Sequence, residues 1–251
     1  MTAALIPISF MSFNISSGQT VDGRLDLELT ASAIEKGSVD IVGLQEVDQN
    51  FSERTNFFDQ VKWLENRLGM DAAFGPNLTG HPGTADWPLQ AYGNAILSRY
   101  PIKSYRNHLF ENVGPEKESE QRGLLEAFIE IRGTTIVFFT THLSLRKEQL
   151  ERNIEQMMEI IRKTDYPAVL TGDFNTGPDS PLVKKVEKEL DNVFGSAASH
   201  PATYKKQGEH GQKIDYVFCS RHWDVLHAEI IATQASDHRP ILSVLQLKPQ
   251  D

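Results

Sequence analysis

Residues 124–142 read LLEAFIEIRGTTIVFFTTH. In an extended chain Leu125, Ala127, Ile129 and Ile131 fall on one face and Glu126, Phe128 and Glu130 on the other, the two-residue period of a strand. Arg132-Gly133 is a tight connection into a second apolar run, 134–141, so the stretch predicts an antiparallel β-hairpin. The second strand runs out into a histidine, His142.

That ending recurs along the chain. Asn14 closes ISFMSFN, Glu46 closes IVGLQE, and Asp173 and Asn175 stand in TGDFN after an apolar run. Asp237 and His238 lie in SDHRP just before the strand 241–247, and Asp215 lies inside KIDYVF. A carboxylate behind an apolar strand is costly to bury unless it is paired, hydrogen-bonded or bound to a metal. Glu46, Asp173 and Asp237, with the two amides and two histidines, at one sheet end would form a site for a hard divalent cation. Oxygen ligands without a thiolate favour Mg2+ or Mn2+ over Zn2+. Each residue taken alone has a plainer reading: a strand-end Asn is a turn former, a lone His a satisfied surface or core group, SDH a cap or turn. The ordered set is what carries weight.

Other strands are predicted at 8–14, 39–45, 94–99, 168–172, 213–219 and 225–232, and helices at 24–36, 53–69, 146–163 and 181–190. Phe57, Val61, Leu64 and Leu68 form an apolar stripe at helical spacing, as do Leu150, Ile154, Met157 and Ile161, and the methionines read as core filler. Ser180-Pro181 is a helix start, with serine as cap and proline in the first turn. Residues 71–93 and 195–212 lack periodicity and are expected to be long Gly/Pro-rich loops, a kind that is often functional. No repeat or linker divides the chain, so residues 1–251 are expected to form one domain.

The 251 residues are 39% apolar and 24% charged, an ordinary globular balance. The net charge of −9 argues against strong non-specific DNA binding, although a bound cation or local basic patch can still attract a polyanion. One cysteine, Cys219, excludes an intrachain disulfide, and it reads as a half-buried structural thiol. No stretch approaches the ~18 apolar residues of a membrane span. The N-terminal MTAALIPISFMSFN has no positively charged region, which predicts a cytoplasmic chain.

The order SFN, LQE, GNAILSR, THL, GDFN, IDYVF, SDHRP resembles the endonuclease/exonuclease/phosphatase superfamily. That superfamily includes pancreatic-type deoxyribonuclease, apurinic endonucleases, sphingomyelinases, deadenylases and inositol-phosphate 5-phosphatases. The resemblance runs from about residue 8 to residue 245, and GDFN followed by IDY and SDH is its most specific part. It implies an α/β (α+β) four-layer sandwich of two packed mixed sheets flanked by helices. It also implies roles. Glu46 would be the principal metal ligand, with Asn14 and Asp237 beside it, directly or through water. Asp173 would orient or deprotonate the attacking water, and Asn175 would hold the phosphate or that water. His238, oriented by Asp215, would contact the scissile phosphate, with His142 a second phosphate contact or proton donor.

One departure stands out. Several members carry a glutamate just upstream of the GNAILSR-like strand, partnering the histidine matched by His142; here the place belongs to Tyr92, which leaves His142 as a phosphate binder. Asn94 could contact substrate or satisfy backbone groups. Arg122 could point its fork at phosphate or begin a hairpin at the surface. Trp87 and Tyr204 read as packing anchors before stacking platforms, Lys205 and Lys206 as a solvated loop, and His81, His200 and His210 as surface.

The expected function is Mg2+- or Mn2+-dependent phosphodiester hydrolysis, nuclease-like, with water attacking phosphorus. The alternative is a phosphoesterase of small-molecule or lipid phosphates, toward which the acidic charge leans. A catalytically silent binding module is a third reading, opposed by the presence of Glu46, Asp173 and His238. The partner expected is the phosphoester substrate, and no protein partner is evident.

Overall fold

The computed structural model describes residues 7–80, 88–113, 120–195, 201–205 and 210–249. Residues His81, Trp87, His200 and Lys206 lie outside them. The elements in chain order are β1 (Ile8–Asn14), α1 (Leu27–Lys36), β2 (Ile41–Gln49), α2 (Gln60–Leu68), β3 (Asp71–Thr79), β4 (Ala91–Ser98), β5 (Ile102–Leu109) and β6 (Gly123–Ile131). There follow β7 (Thr134–His142), α3 (Lys147–Ile161), β8 (Ala168–Asp173), α4 (Pro181–Glu187), β9 (Asp191–Asn192), β10 (Asp215–Cys219), β11 (Trp223–Ile230) and β12 (Ile241–Leu247).

The strands form two mixed sheets, β11-β12-β1-β2-β4-β3 and β5-β6-β7-β8-β10-β9. Each is built around one parallel pair with a helical crossover: β1 and β2 through α1, β7 and β8 through α3. The central strands are apolar on both sides because both sides are covered. Phe10 and Ile41 face the other sheet while Met11 and Val42 face α1 and α2. Between the sheets, Phe10 stacks on Phe138 at 5.9 Å and meets the edge of Trp223 at 5.4 Å. Outside the second sheet, Ile154, Met157 and Val183 pack against Val137, Leu170 and Phe218. Helices, sheet, sheet and helices make the four expected layers. Among the described residues no helix is long and apolar enough to cross a membrane. Cys219 is fully buried, more so than expected, and burial pushes its thiol up to about 12.

Several boundaries differ from expectation for local reasons. The helix expected at 24–36 starts at Leu27, because the Asp26 side chain accepts from the Leu29 N–H as its cap. The helix expected at 53–69 is two pieces: a 3-10 turn at Glu53–Thr55, then left-handed Asn56 and Phe57, then α2, capped by Asp59 on the Lys62 N–H. The expected loop 71–93 is wrong over most of its described length: it holds β3 and the start of β4. β3 buries Ala73, Gly75 and Asn77, so its inward face has no bulky apolar residue to announce a strand. β5, also not expected, is a largely exposed edge strand. Strand β2 does not stop at Gln45 but runs through Glu46 to Gln49.

The sheets approach closely at Gly43 of β2. A β-carbon there would fall on the Thr171 hydroxyl and lie 2.7 Å from Thr140 Oγ1, both in the facing sheet. Gly43→Ala is therefore expected to destabilise the fold by about 1–3 kcal/mol through overpacking. The measurement is the urea midpoint at unchanged m-value, and an unmoved midpoint would contradict the close approach.

Candidate active site

Strand register assembles the first half of the site. His142 pairs with Asp173 across β7 and β8, and Asp173 pairs with Asp215 across β8 and β10. Directly opposed residues share a face, so the three side chains stand in a row at one end of the second sheet. In the first sheet, Asn14 is level with Gln45, and Glu46 follows where the pairing of β2 with β4 shifts register between Leu44 and Val47. Glu46 is left-handed there, with φ of 56°. A non-glycine residue in that region carries ~1–3 kcal/mol of strain, held by the surrounding sheet. Such irregularities redirect a side chain out of its strand, and strain of this kind clusters at functional sites.

Stacking of the sheets joins the halves. Asn14 Nδ2 donates to Glu46 Oε1 at 2.9 Å and to Asp173 Oδ2 at 3.0 Å, while its Oδ1 accepts from the Ser16 N–H at 3.0 Å. His238 Nδ1 donates to Asp215 at 2.9 Å, and its Nε2 lies 3.7 Å from Asp173 Oδ2. Asn175, left-handed like Glu46, donates through Nδ2 to His142 Nε2 at 3.0 Å and to the Leu143 carbonyl at 2.9 Å. Ligand atoms of Glu46, His142 and Asp173 lie within 4.8 Å of one another, as do those of Asp173, Asp215 and His238. Asp237 lines the same cleft but stands outside both groups.

Charge follows from these neighbours. Burial, with the Asp215 carboxylate alongside, pushes the Asp173 carboxyl well above the usual range. Burial opposes charge on His238, but Asp215, Asp173 and Asp237 outweigh it and lift the imidazole to about 10. His142 is held well below its usual value by burial and by the cationic Arg122 and His238, so it is neutral and accepts from Asn175 at Nε2. One imidazolium and one neutral imidazole thus flank the same carboxylate.

The cleft measures about 630 Å³. The remaining lining includes Tyr92, Arg54, Glu120 and Arg122. Burial and the charges of Glu46 and Glu120 raise the Tyr92 phenol, keeping it neutral. Arg54 is anchored by the fully buried Asp48, at 2.7 and 3.2 Å, and lies over the Tyr92 ring at 5.0 Å. Arg122 is buried and paired with Glu120 at 2.8 Å, so it is no surface arginine. Asn94 is fully buried, points Nδ2 at the Gly123 carbonyl at 3.4 Å and is not part of the cleft lining; of its two readings this is the backbone-satisfying one. Sequence reasoning missed Arg54 and Glu120, which lie outside the strand-end pattern. A larger depression of about 750 Å³, beside the start of β7, gathers no comparable cluster among the described residues.

The donor set fits a hard divalent cation. Carboxylate oxygens of Glu46 and Asp173 lie within 4.8 Å of each other, bridged by the Asn14 amide, with no sulfur among the described lining residues.

The Escherichia coli protein named "Uncharacterized protein YbhP" is 30% identical over 210 residues, 76% of each chain. A Beutenbergia cavernae endonuclease/exonuclease/phosphatase structure superposes with a TM-score of 0.78 at 23% identity, covering 96% of this chain and 72% of that one. The Bacteroides thetaiotaomicron mannosyl-6-phosphatase Bt3783 superposes with a TM-score of 0.73 at 20% identity, covering 95% and 99%. The profile of the Endonuclease/Exonuclease/phosphatase family matches residues 11–238, and with the two-sheet fold and the carboxylate–histidine cleft it makes this chain a member of that family of phosphoester hydrolases.

Proposed function

We propose that the protein is a Mg2+- or Mn2+-dependent hydrolase of phosphodiesters in which water attacks phosphorus. The observation that carries this reading is the joint approach of Asn14, Glu46 and the Asp215–His238 pair to one carboxylate, Asp173. Glu46 is the principal metal ligand, with Asn14 and Asp237 contributing directly or through water. When bound, the cation offsets the negative charge of the phosphoryl group and of the departing oxygen.

The protein's own groups do the rest. Asp173 accepts a hydrogen bond from the attacking water, orients it and takes its proton as the new P–O bond forms and the bond from phosphorus to the ester oxygen breaks, that oxygen leaving as an alkoxide that solvent protonates. Asn175 holds the attacking water through its amide oxygen, because its Nδ2 hydrogens are already given to the neutral His142 and to the Leu143 carbonyl, and His142 keeps that amide in place. The His238 imidazolium, kept charged by Asp215, stabilises the charge that develops on phosphorus-bound oxygen. Arg122 and the Tyr92 hydroxyl bind the substrate on the remaining wall of the cleft.

A second reading, a small phosphate ester as substrate, is favoured by the charge of that wall. Arg54 is already paired with Asp48 and Arg122 with Glu120, leaving little net attraction for a polyanion. The test is a panel of plain and abasic DNA, RNA, a lipid phosphodiester, inositol phosphates and a nitrophenyl phosphodiester, each with Mg2+, with Mn2+ and with excess chelator. Turnover is expected to vanish in chelator and to return with Mg2+ or Mn2+. Full turnover in chelator would sink the metal-dependent mechanism, and the preferred panel member decides between the two substrate classes.

A further inference from the structure

The Asp215–His238 pair spans the two sheets. Asp215 opens β10 in one sheet, and His238 sits in the turn leading to β12 in the other. β10 pairs with β8 and β9, while β12 pairs with β1 and β11, so no strand ladder fixes one partner against the other.

A short strap, residues 203–205, does touch both. The Thr203 side chain is fully buried, and its Oγ1 accepts the N–H groups of Ile214 and Asp215, each at 3.1 Å. Its carbonyl accepts the Arg239 N–H at 2.6 Å, one residue beyond His238. The Lys205 N–H donates to the Asp237 carbonyl at 3.0 Å. Between them, the Tyr204 ring lies against the His238 imidazole, with centroids 4.7 Å apart and planes tilted by 45°. Gln212 closes the strap from behind: its carbonyl accepts the N–H groups of Thr203 and Tyr204, and its own N–H returns to Tyr204.

We infer that Thr203 and Tyr204 are positioning residues that set the distance and aim of His238 relative to Asp215. The inference rests on the proposed role of His238 at the phosphate. The chemistry of the two side chains fits the task. A hydroxyl on a short stem serves as a common acceptor for two adjacent amides, and it ties the start of β10 to the strap. The hydrogen bond to Asp215 holds Nδ1 but leaves the ring able to pivot about that atom, a rotation that swings Nε2. The Tyr204 ring blocks that rotation on one side, an aromatic contact of ~0.5–1.5 kcal/mol. A displacement of about 1 Å at such a group lowers rates by ~100-fold, so modest anchoring energies have large kinetic effects.

The experiment uses the full chain, Mg2+ and a nitrophenyl phosphodiester. Thr203→Val and Tyr204→Leu are each expected to lower kcat by about tenfold to a hundredfold, with KM shifted less than about threefold. Thr203→Ser and Tyr204→Phe, which keep the acceptor and the ring, are expected to restore most of it. In a His238→Ala background neither Thr203→Val nor Tyr204→Leu should reduce the residual rate further, because their effect passes through the missing imidazole. A further drop of similar size in that background overturns the inference, since it marks a general structural role. Unchanged kcat in the single variants overturns it equally. Should Thr203→Val fail to fold, Tyr204→Leu alone decides, its ring being only half-buried at the cleft. Full activity of His238→Ala itself would instead sink the proposed role of His238, a different failure.

Discussion

Glu46→Gln is expected to lower metal-dependent turnover by about three orders of magnitude, which is roughly 4 kcal/mol of lost transition-state stabilisation. The exchange removes one negative charge and almost no volume. Asn14 Nδ2 can still donate to the amide oxygen that replaces Glu46 Oε1, so the local hydrogen bond survives. The side chain is only half-buried, and the backbone strain at φ 56° is the same for either residue. The thermal midpoint is therefore expected to stay within a few degrees while calorimetric Mg2+ or Mn2+ affinity falls. Unchanged Mg2+-dependent activity would remove Glu46 from the site. Equal losses of activity and folded fraction would make it a structural residue instead.

The second large effect concerns the buried pair. His238→Ala is expected to lower turnover by ~1,000-fold or more while metal affinity is kept, because Glu46, Asn14 and Asp173 remain in place. It also strands Asp215, which is almost fully buried, without its partner. Removing one member of a buried ion pair costs about 3–5 kcal/mol, so this variant tests chemistry and stability together. Asp215→Asn separates them: the amide can still accept from His238 Nδ1, but the charge that holds the imidazole protonated is gone. It is expected to be slow yet well folded. The double variant should be little slower than His238→Ala, because the two residues act as a unit. Rate losses that multiply in the double variant would show that Asp215 acts independently of His238.

Much of the fold was legible in local pattern. The alternation in 124–131 gave β6, and the apolar runs at 8–14 and 168–172 gave the two strands whose ends carry Asn14 and Asp173. Where the pattern was misleading, the burial was unusual. β3 packs small and polar residues inward, and Asn107 supports it by donating to the Pro76 carbonyl at 2.7 Å. β5 faces mostly solvent and so had no apolar period to detect. The turn at Asn56 and Phe57 interrupts an apolar stripe without a proline or glycine to mark the break.

The site divides along the same line. The residue types with phosphoester chemistry, and their order along the chain, belong to the sequence by itself: each lies at or near the end of a recognisable apolar segment. Their meeting does not. The hydrogen bond between Asn14 and Asp173 links residues 159 positions apart. Their approach depends on register within each sheet and on how the two sheets stack. Only the folded chain decided that Glu46 is turned out at a register shift, and that Tyr92 shares its cleft with a carboxylate, Glu120, from a distant segment. Only there do Arg54 and Arg122 come to the cleft already neutralised. The physical reason is range. Side-chain period and capping act over a few residues and leave a trace in the string of letters. Convergence at a point is set by the packing of entire layers, whose partners no local pattern names.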